Sequence, residues 1–338
     1  MKIIYGMPDR FGKYRLDLPV SKTNPGGGIS TKACRVFEAW KDWYDDVEMV
    51  ENWWDIQEPE AYLVVDPLAF SFTENINDTI RQYETHPARF KVLYGSELSA
   101  LNIAYMHRER FFRTSDLVTT CCRFQEGVYQ ALGFKSARFC DPVPEEVFYN
   151  PNQQKELSLI ACGSISDIKQ SSKIVEIFKS LKGKMELIYL GGADLWGDSV
   201  TEADIMESEI RHLADKFYYN VPQATVAKIF ARASCGIFDT AHETCSESNQ
   251  EFLMAGGRCY YGLHALWNER PGVHGLDDPL QFVNAISSET NGFTQLPAEK
   301  KRKESEHWAL ENCSYNTFIE QWRDIIRRCK MSSSTQVP

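Results

Sequence analysis

Residues 233–262 constrain this chain more than any other stretch, reading ASCGIFDTAHETCSESNQEFLMAGGRCYYG. A short apolar run (Cys235, Gly236, Ile237, Phe238) breaks into a polar loop. A helical segment with Phe252, Leu253 and Met254 then ends at Gly256 and Gly257, and a second apolar run follows. That order predicts strand, helix, strand. Glu243 and Glu251 are separated by seven residues, one in the loop and one two turns into the helix. Both can therefore face a ligand at the helix N-terminus, where backbone N–H groups lack partners and the macrodipole is positive. Such an end favours phosphate, whereas two carboxylates beside it suit sugar and ribose hydroxyls. Glu247 is the competing carboxylate.

The rest of the chain supplies repeating units of the same kind. Residues 2–6 form a short apolar strand, and the glycine-rich run Asn24-Pro-Gly-Gly-Gly-Ile-Ser30 leads into the helical pattern Ala33, Val36, Phe37, Trp40. Glycines there let a backbone approach a phosphate or sugar closely. Residues 47–54, 61–65, 90–94, 117–121 and 137–140 read as further strands. Helical patterns carry Leu98, Leu101, Tyr105, Arg108 and Phe112, and then residues 124–132. Three prolines in residues 141–151 mark a linker. Beyond it come a strand at 157–162, a helix running to Leu181, strands at 185–190 and 217–220, and a proline-started helix at 222–232. Strands alternating with helices predict parallel α/β sheets. After Tyr261 the pattern loosens. Residues 265–271 read as a helix end, and 297–312, with the run Lys300 to Lys303, as a solvated helix. Phe318, Trp322, Ile325 and Ile326 form the apolar face of a last helix, followed by a polar tail.

With 338 residues, 43% hydrophobic and 12% aromatic, the chain can bury two cores of ordinary size. No run of eighteen apolar residues occurs, and the N-terminal apolar segment is too short for a signal peptide. The expectation is a soluble, cytoplasmic protein with no membrane insertion. Ten cysteines without C-x-x-C or Cys/His ligand spacing are expected as reduced core residues.

The spacing Glu243-x7-Glu251, followed by Gly256-Gly257 and a new strand, resembles the donor-site signature of retaining GT-B glycosyltransferases. Gly163 and Lys169 resemble the glycine and lysine with which that family holds the donor diphosphate, and Pro144, Phe148 and Pro151 match its domain crossover loosely. The resemblance implies an α/β GT-B fold, two Rossmann-like domains facing across a cleft. Residues 1–143 would be the acceptor domain, 144–156 the linker, 157–305 the donor domain and 306–330 a helix packing back on the first domain. It further implies that Gly27 and Gly28 lie beside the donor and that Lys169 meets the diphosphate with amides near Gly163 and around Ser246, Glu247 and Ser248. Glu251 would bind the ribose and Glu243 the transferred sugar. Ser96 and Glu97 stand where the family carries a cleft-facing histidine or acid, and Glu97 is the second catalytic candidate. Ser164 replaces an expected arginine. Either another basic residue compensates or donor affinity is modest. The implied reaction is glycosyl transfer with retention by front-face attack, the donor phosphate helping to take the acceptor proton. It needs no protein nucleophile, metal or cofactor, only a nucleotide-sugar co-substrate, by analogy a UDP-sugar.

A Rossmann dehydrogenase is disfavoured because no G-x-G-x-x-G follows a strand. An inactive nucleotide-sugar binder and an epimerase of the same architecture remain as rivals. For the acceptor the sequence offers charge. The whole chain is −10, yet residues 38–78 hold 12 acidic residues and one lysine, residues 10–35 six basic and one acidic, and residues 81–138 nine basic and five acidic. Basic segments of the first domain suit a polyanion. The C-terminal end resembles retaining glucosyltransferases of tailed phages that modify hydroxymethylated DNA bases, which makes double-stranded DNA the sharpest specific acceptor and host cytoplasm the location. Glycans and small hydroxylated molecules are the alternatives.

Overall fold

The computed structural model describes residues 1–7, 28–66, 76–94, 109–166, 169–193, 200–219, 221–240, 246–265 and 268–334. They form two compact units, one from the residues up to Pro142 together with those from Asn312 onward, the other from Val143 to Glu311.

The first unit is built on β1 (Lys2–Gly6), α1 (Gly28–Lys41), β2 (Asp46–Val50), β3 (Tyr62–Val65), α2 (Ile76–Thr85), β4 (Phe90–Tyr94), α3 (Glu109–Thr114), β5 (Leu117–Thr120), α4 (Arg123–Ala131) and β6 (Ser136–Arg138). Its six strands pair in the order β2-β1-β3-β4-β5-β6, all parallel. Parallel strands are covered on both faces and read as continuous apolar runs, and β3, Tyr-Leu-Val-Val, is buried at every position. One face packs under α1 and the last helix, α12 (Tyr315–Ser334). There Trp40 lies 5.0 Å from Trp322 and 5.3 Å from Tyr5, and Phe139 stacks on Phe318 at 4.5 Å. The helix predicted from Phe318, Trp322, Ile325 and Ile326 thus spends its apolar face on this sheet. Trp53, Tyr83 and Phe111 fill the opposite face.

The second unit continues with α5 (Glu145–Phe148), β7 (Glu156–Ile165), α6 (Ser171–Leu181), β8 (Glu186–Ala193), α7 (Val200–Leu213), β9 (Lys216–Tyr218), α8 (Gln223–Arg232), β10 (Ala233–Phe238), α9 (Glu247–Met254), β11 (Arg258–Gly262), β12 (Val273–Leu276), α10 (Pro279–Glu289) and α11 (Glu299–Cys313). Its parallel sheet has the order β12-β11-β10-β7-β8-β9. The chain runs outward from β7 through β8 to β9, then returns to the other side of β7 and runs outward again through β10, β11 and β12. The direction reverses between β7 and β10. Helices α6, α7 and α10 bury Ile174, Ile177, Phe178, Ile210, Phe282 and Ile286 on one face.

Several expectations need correction. Residues 47–54 are not one strand: β2 stops at Val50, and Trp53–Asp55 forms a 3-10 turn. The turn swings Trp53 into full burial, 6.0 Å from Tyr83 and 5.7 Å from His86, so its apolarity reflects packing rather than sheet pairing. The proline-rich segment 141–151 holds a helical turn, α5, started by Pro144, and Phe148 is buried 6.3 Å from Phe230. The loosening after Tyr261 conceals β12 and α10. The latter begins on an Asp278 cap accepting from the Gln281 amide at 2.9 Å, with Pro279 at its first position. Lys300 and Lys303 face solvent, but Lys301 reaches back to the half-buried Glu289. Cys34, Cys121, Cys122, Cys140, Cys235, Cys259 and Cys313 are buried. Among the described residues no helix is long and apolar enough to cross a membrane.

Candidate functional site

In open parallel sheets, ligands bind beyond the carboxyl ends of the strands where the strand order reverses, because the two outgoing loops part there and leave a crevice. In the second unit that place is the end of β7 beside the end of β10. A small recess of ≈ 10 Å³, room for about one water, lies there, lined by Cys162, Lys169, Ile174, Ile237, Phe238, Asp239, Thr240 and Ser246.

The strand ends are built for close approach. Gly163 has φ +140° and Gly191 φ +146°, and a Cβ at Gly191 would stand 1.9 Å from the Gly163 carbonyl oxygen. Only glycine permits the two strands to meet so tightly. After β7 the chain turns through Ser166, whose amide donates to Ser171 Oγ at 3.0 Å. Lys169 follows, its stem running along Gly163, with Cδ and Cε 3.6 and 3.7 Å from the position of a Cβ there. Gln170, in the left-handed region at φ 51°, opens α6.

Across the recess, Ser246 caps α9 by accepting from the Asn249 amide at 3.3 Å, and its hydroxyl lies 3.2 Å from that of Ser248. The first turn is braced from behind. Arg270, 2% exposed, donates to Asn249 Oδ1 at 2.6 Å, while Asn249 Nδ2 donates to Tyr261 Oη at 3.2 Å. Tyr261 in turn stacks on His274 at 4.4 Å. Glu251 is buried on this helix, and Glu247 and Ser248 are half-buried.

Of the expected donor residues, Lys169 and Ser246 therefore come together at the recess, with Gly163 against the Lys169 stem. Ser164, Glu247, Ser248 and Glu251 lie on the adjoining strand end and helix without lining it. Gly28 begins α1 in the first unit, whereas Gly27, Ser96, Glu97 and Glu243 lie outside the described residues.

Asp239, Thr240 and Lys173 escaped the sequence reading. Asp239 directly follows β10, and its Oδ2 lies 2.7 Å from Lys173 Nζ on α6. A Cβ at the neighbouring Gly262 would fall 1.7 Å from Asp239 Oδ1, so that glycine makes room for the carboxylate. Burial pushes the Asp239 carboxyl up, against the pull of Lys173. The Asp239 Oδ1 and Thr240 Oγ1 atoms are buried without a hydrogen-bond partner. The one signal available in sequence was position, immediately after a fully apolar strand.

The basic residues of the first unit are more committed than their count suggests. Lys32 and Arg35 are buried, Lys32 against Asp66. Arg81 pairs with Asp78 and Arg89 with Glu60, while Arg110 pairs with Glu84 and Arg113 with Glu109.

No protein-family model matches the chain, and no curated protein matches its sequence. Solved structures do match its fold. The chain is similar to the sucrose-phosphate synthase of Thermosynechococcus elongatus, with a TM-score of 0.71 and 12% identity over 98% of this chain and 100% of the other. It is similar to HepE of Anabaena in complex with UDP and glucose, with a TM-score of 0.70 and 11% identity over 97% and 100%. An α-glucosyltransferase in complex with UDP-glucose and DNA containing an abasic site gives a TM-score of 0.61 and 10% identity over 97% and 99%.

Proposed function

We propose that this chain, which has the GT-B fold of its structural neighbours, is a glycosyltransferase that moves a sugar from a nucleotide-sugar to a hydroxyl acceptor. The observation that carries the reading is the recess between β7 and β10. There Lys169, Cys162 near the end of β7 and the Ser246-capped start of α9 converge. A lysine ammonium together with the positive end of a helix is a site for phosphate. HepE with UDP and glucose, and the α-glucosyltransferase with UDP-glucose, support a uridine diphosphate sugar as the donor.

In this reading Lys169 and the first-turn amides of α9 hold the diphosphate, Glu251 takes the ribose hydroxyls and Glu243 the transferred sugar. Fixed positive charge at the diphosphate stabilises it as it departs, which is where negative charge develops. Attack from the same face retains the anomeric configuration, with the leaving phosphate oxygen accepting the acceptor proton.

The acceptor reading is finer. The α-glucosyltransferase bound to DNA supports a hydroxymethylated base in double-stranded DNA. The paired arginines of the first unit add little to it, so its electrostatic case rests on the other basic residues, including Lys135, Arg138 and those of segments 8–27 and 95–108. The test is incubation with UDP-glucose and duplex DNA carrying hydroxymethylpyrimidines, alongside glycan and small-molecule acceptors, over a salt series. Proton coupling at the anomeric carbon of the product reads the stereochemistry. Release of UDP with no transferred sugar on any acceptor counts against transfer, and inversion counts against the front-face route.

A further inference from the structure

The expected arginine at the end of β7 is Ser164, which leaves Lys169 as the single cation lining the recess among the described residues. A donor diphosphate brings two negative charges. Lys173, in the first turn of α6, holds its ammonium 2.7 Å from Asp239 Oδ2, and Asp239 itself lines the recess. The lysine side chain is 15% exposed and the aspartate side chain 1%. The pair is therefore largely covered, with Asp239 in the wall of the recess and Lys173 bonded to it.

We infer that Lys173 is the second cation of the diphosphate site, held in reserve by Asp239 and turned towards the phosphates when the donor binds. The inference rests on the donor reading above. Three features of the wall carry it. The ammonium lies one hydrogen-bond length from a carboxylate oxygen of a recess-lining residue. Asp239 Oδ1 and Thr240 Oγ1, both buried on recess-lining residues, have no hydrogen-bond partner, so the wall holds polar atoms that a water or a ligand group entering the recess can satisfy. And Gly262 keeps the place of its side chain clear for the carboxylate, which fixes where the lysine waits.

The two members of the pair then act on the donor with opposite sign. Lys173 attracts the diphosphate, while Asp239, as a carboxylate, repels it and competes for the same ammonium. Groups facing Asp239 from the surrounding elements are Lys173 on α6, His264 after β11 and Asp277 before α10. A pair that merely stabilises the fold has no such asymmetry, since loss of either partner leaves the other buried and uncompensated.

Binding of UDP-glucose, uridine and pyrophosphate to the full chain, measured by calorimetry at pH 8, tests this. Wild type, Lys173→Met, Lys173→Arg and Asp239→Asn are compared, with the ligand-free melting temperature of each recorded. Lys173→Met should weaken UDP-glucose by about tenfold or more, the loss of a hydrogen bond to a charged group, and leave uridine unchanged. Lys173→Arg should restore most of that loss. Asp239→Asn should bind UDP-glucose several-fold more tightly than wild type. If Lys173→Met and Asp239→Asn shift UDP-glucose and uridine equally, or both weaken UDP-glucose, the pair is structural and the inference falls. Wild type that ignores UDP-glucose but binds pyrophosphate through Lys173 keeps the anion site and overturns the donor reading. Binding of neither overturns both.

Discussion

The stem of Lys169 lies against Gly163, with Cδ 3.6 Å and Cγ 3.7 Å from where a Cβ on that glycine would stand. Gly163 also carries φ +140°, a backbone conformation that side chains of L-residues rarely adopt. A Cβ at that distance makes ordinary van der Waals contact, so the backbone alone demands glycine here. Gly163→Ala should cost about 1–3 kcal/mol through backbone strain. Urea unfolding measures it. An alanine variant as stable as wild type would show that the constraint does not operate.

Gln170 offers the opposite change. Its φ of 51° and ψ of 41° place a non-glycine residue in the left-handed region immediately before α6. Gln170→Gly removes the contact between Cβ and the backbone that makes this conformation costly, worth roughly 1 kcal/mol. The melting temperature should hold or rise. A clear fall would mean that the glutamine side chain contributes more than its backbone costs.

Lys155 joins two helix ends. Its ammonium donates to the carbonyls of Phe230, near the end of α8, and Ala255, just after α9. Burial, aided by Arg302, lowers its pKa to about 7, with Glu306 opposing. In the unfolded chain the lysine keeps its ordinary value of 10.5. Between these values the unfolded state binds the extra proton, so the contribution of Lys155 to stability rises with pH from about 7 to 10.5 and is fully lost once pH has fallen to about 7. The slope is at most ~1.4 kcal/mol per pH unit. The stability gap between wild type and Lys155→Met, read from urea midpoints at pH 7 and pH 9, should widen in favour of wild type. A gap that is constant or narrows contradicts the shift.

Trp322 is fully buried and lies 5.0 Å from Trp40 and 6.0 Å from Phe139. Trp322→Ala should cost about 3–5 kcal/mol. Because its cluster belongs to the first unit, donor binding by the second should survive at temperatures below the new transition. Simultaneous loss of donor binding under those conditions would mean that the two units do not act separately.

Much of this was legible because parallel α/β units write themselves locally. The apolar run before Asp239, the Ser246 cap and the Gly256-Gly257 stop each specify their own piece of β10, α9 and β11. The Phe318 and Trp322 face was equally plain. What failed was what depends on tertiary context. Trp53 looked like strand because its apolarity did not reveal which face it would fill. Lys173 looked like any helix lysine, since its partner Asp239 is 66 positions away and only the strand order brings them together. Lys32 and Arg35 were read as surface charge, yet Asp66, at the end of β3, draws Lys32 inside.

The central claim is that the second unit binds a nucleotide-sugar at the reversal of its strand order, through Lys169. A thermal unfolding series with UDP-glucose and other nucleoside diphosphate sugars, on wild type and Lys169→Ala, tests it most directly. At a hundred times its dissociation constant a ligand stabilises the folded state by about 2.7 kcal/mol. At least one of these donors should raise the melting temperature of wild type by several degrees, and Lys169→Ala should lose most of that shift while keeping its response to the bare nucleoside. No shift with any nucleoside diphosphate sugar, or an equal shift in both proteins, would contradict it.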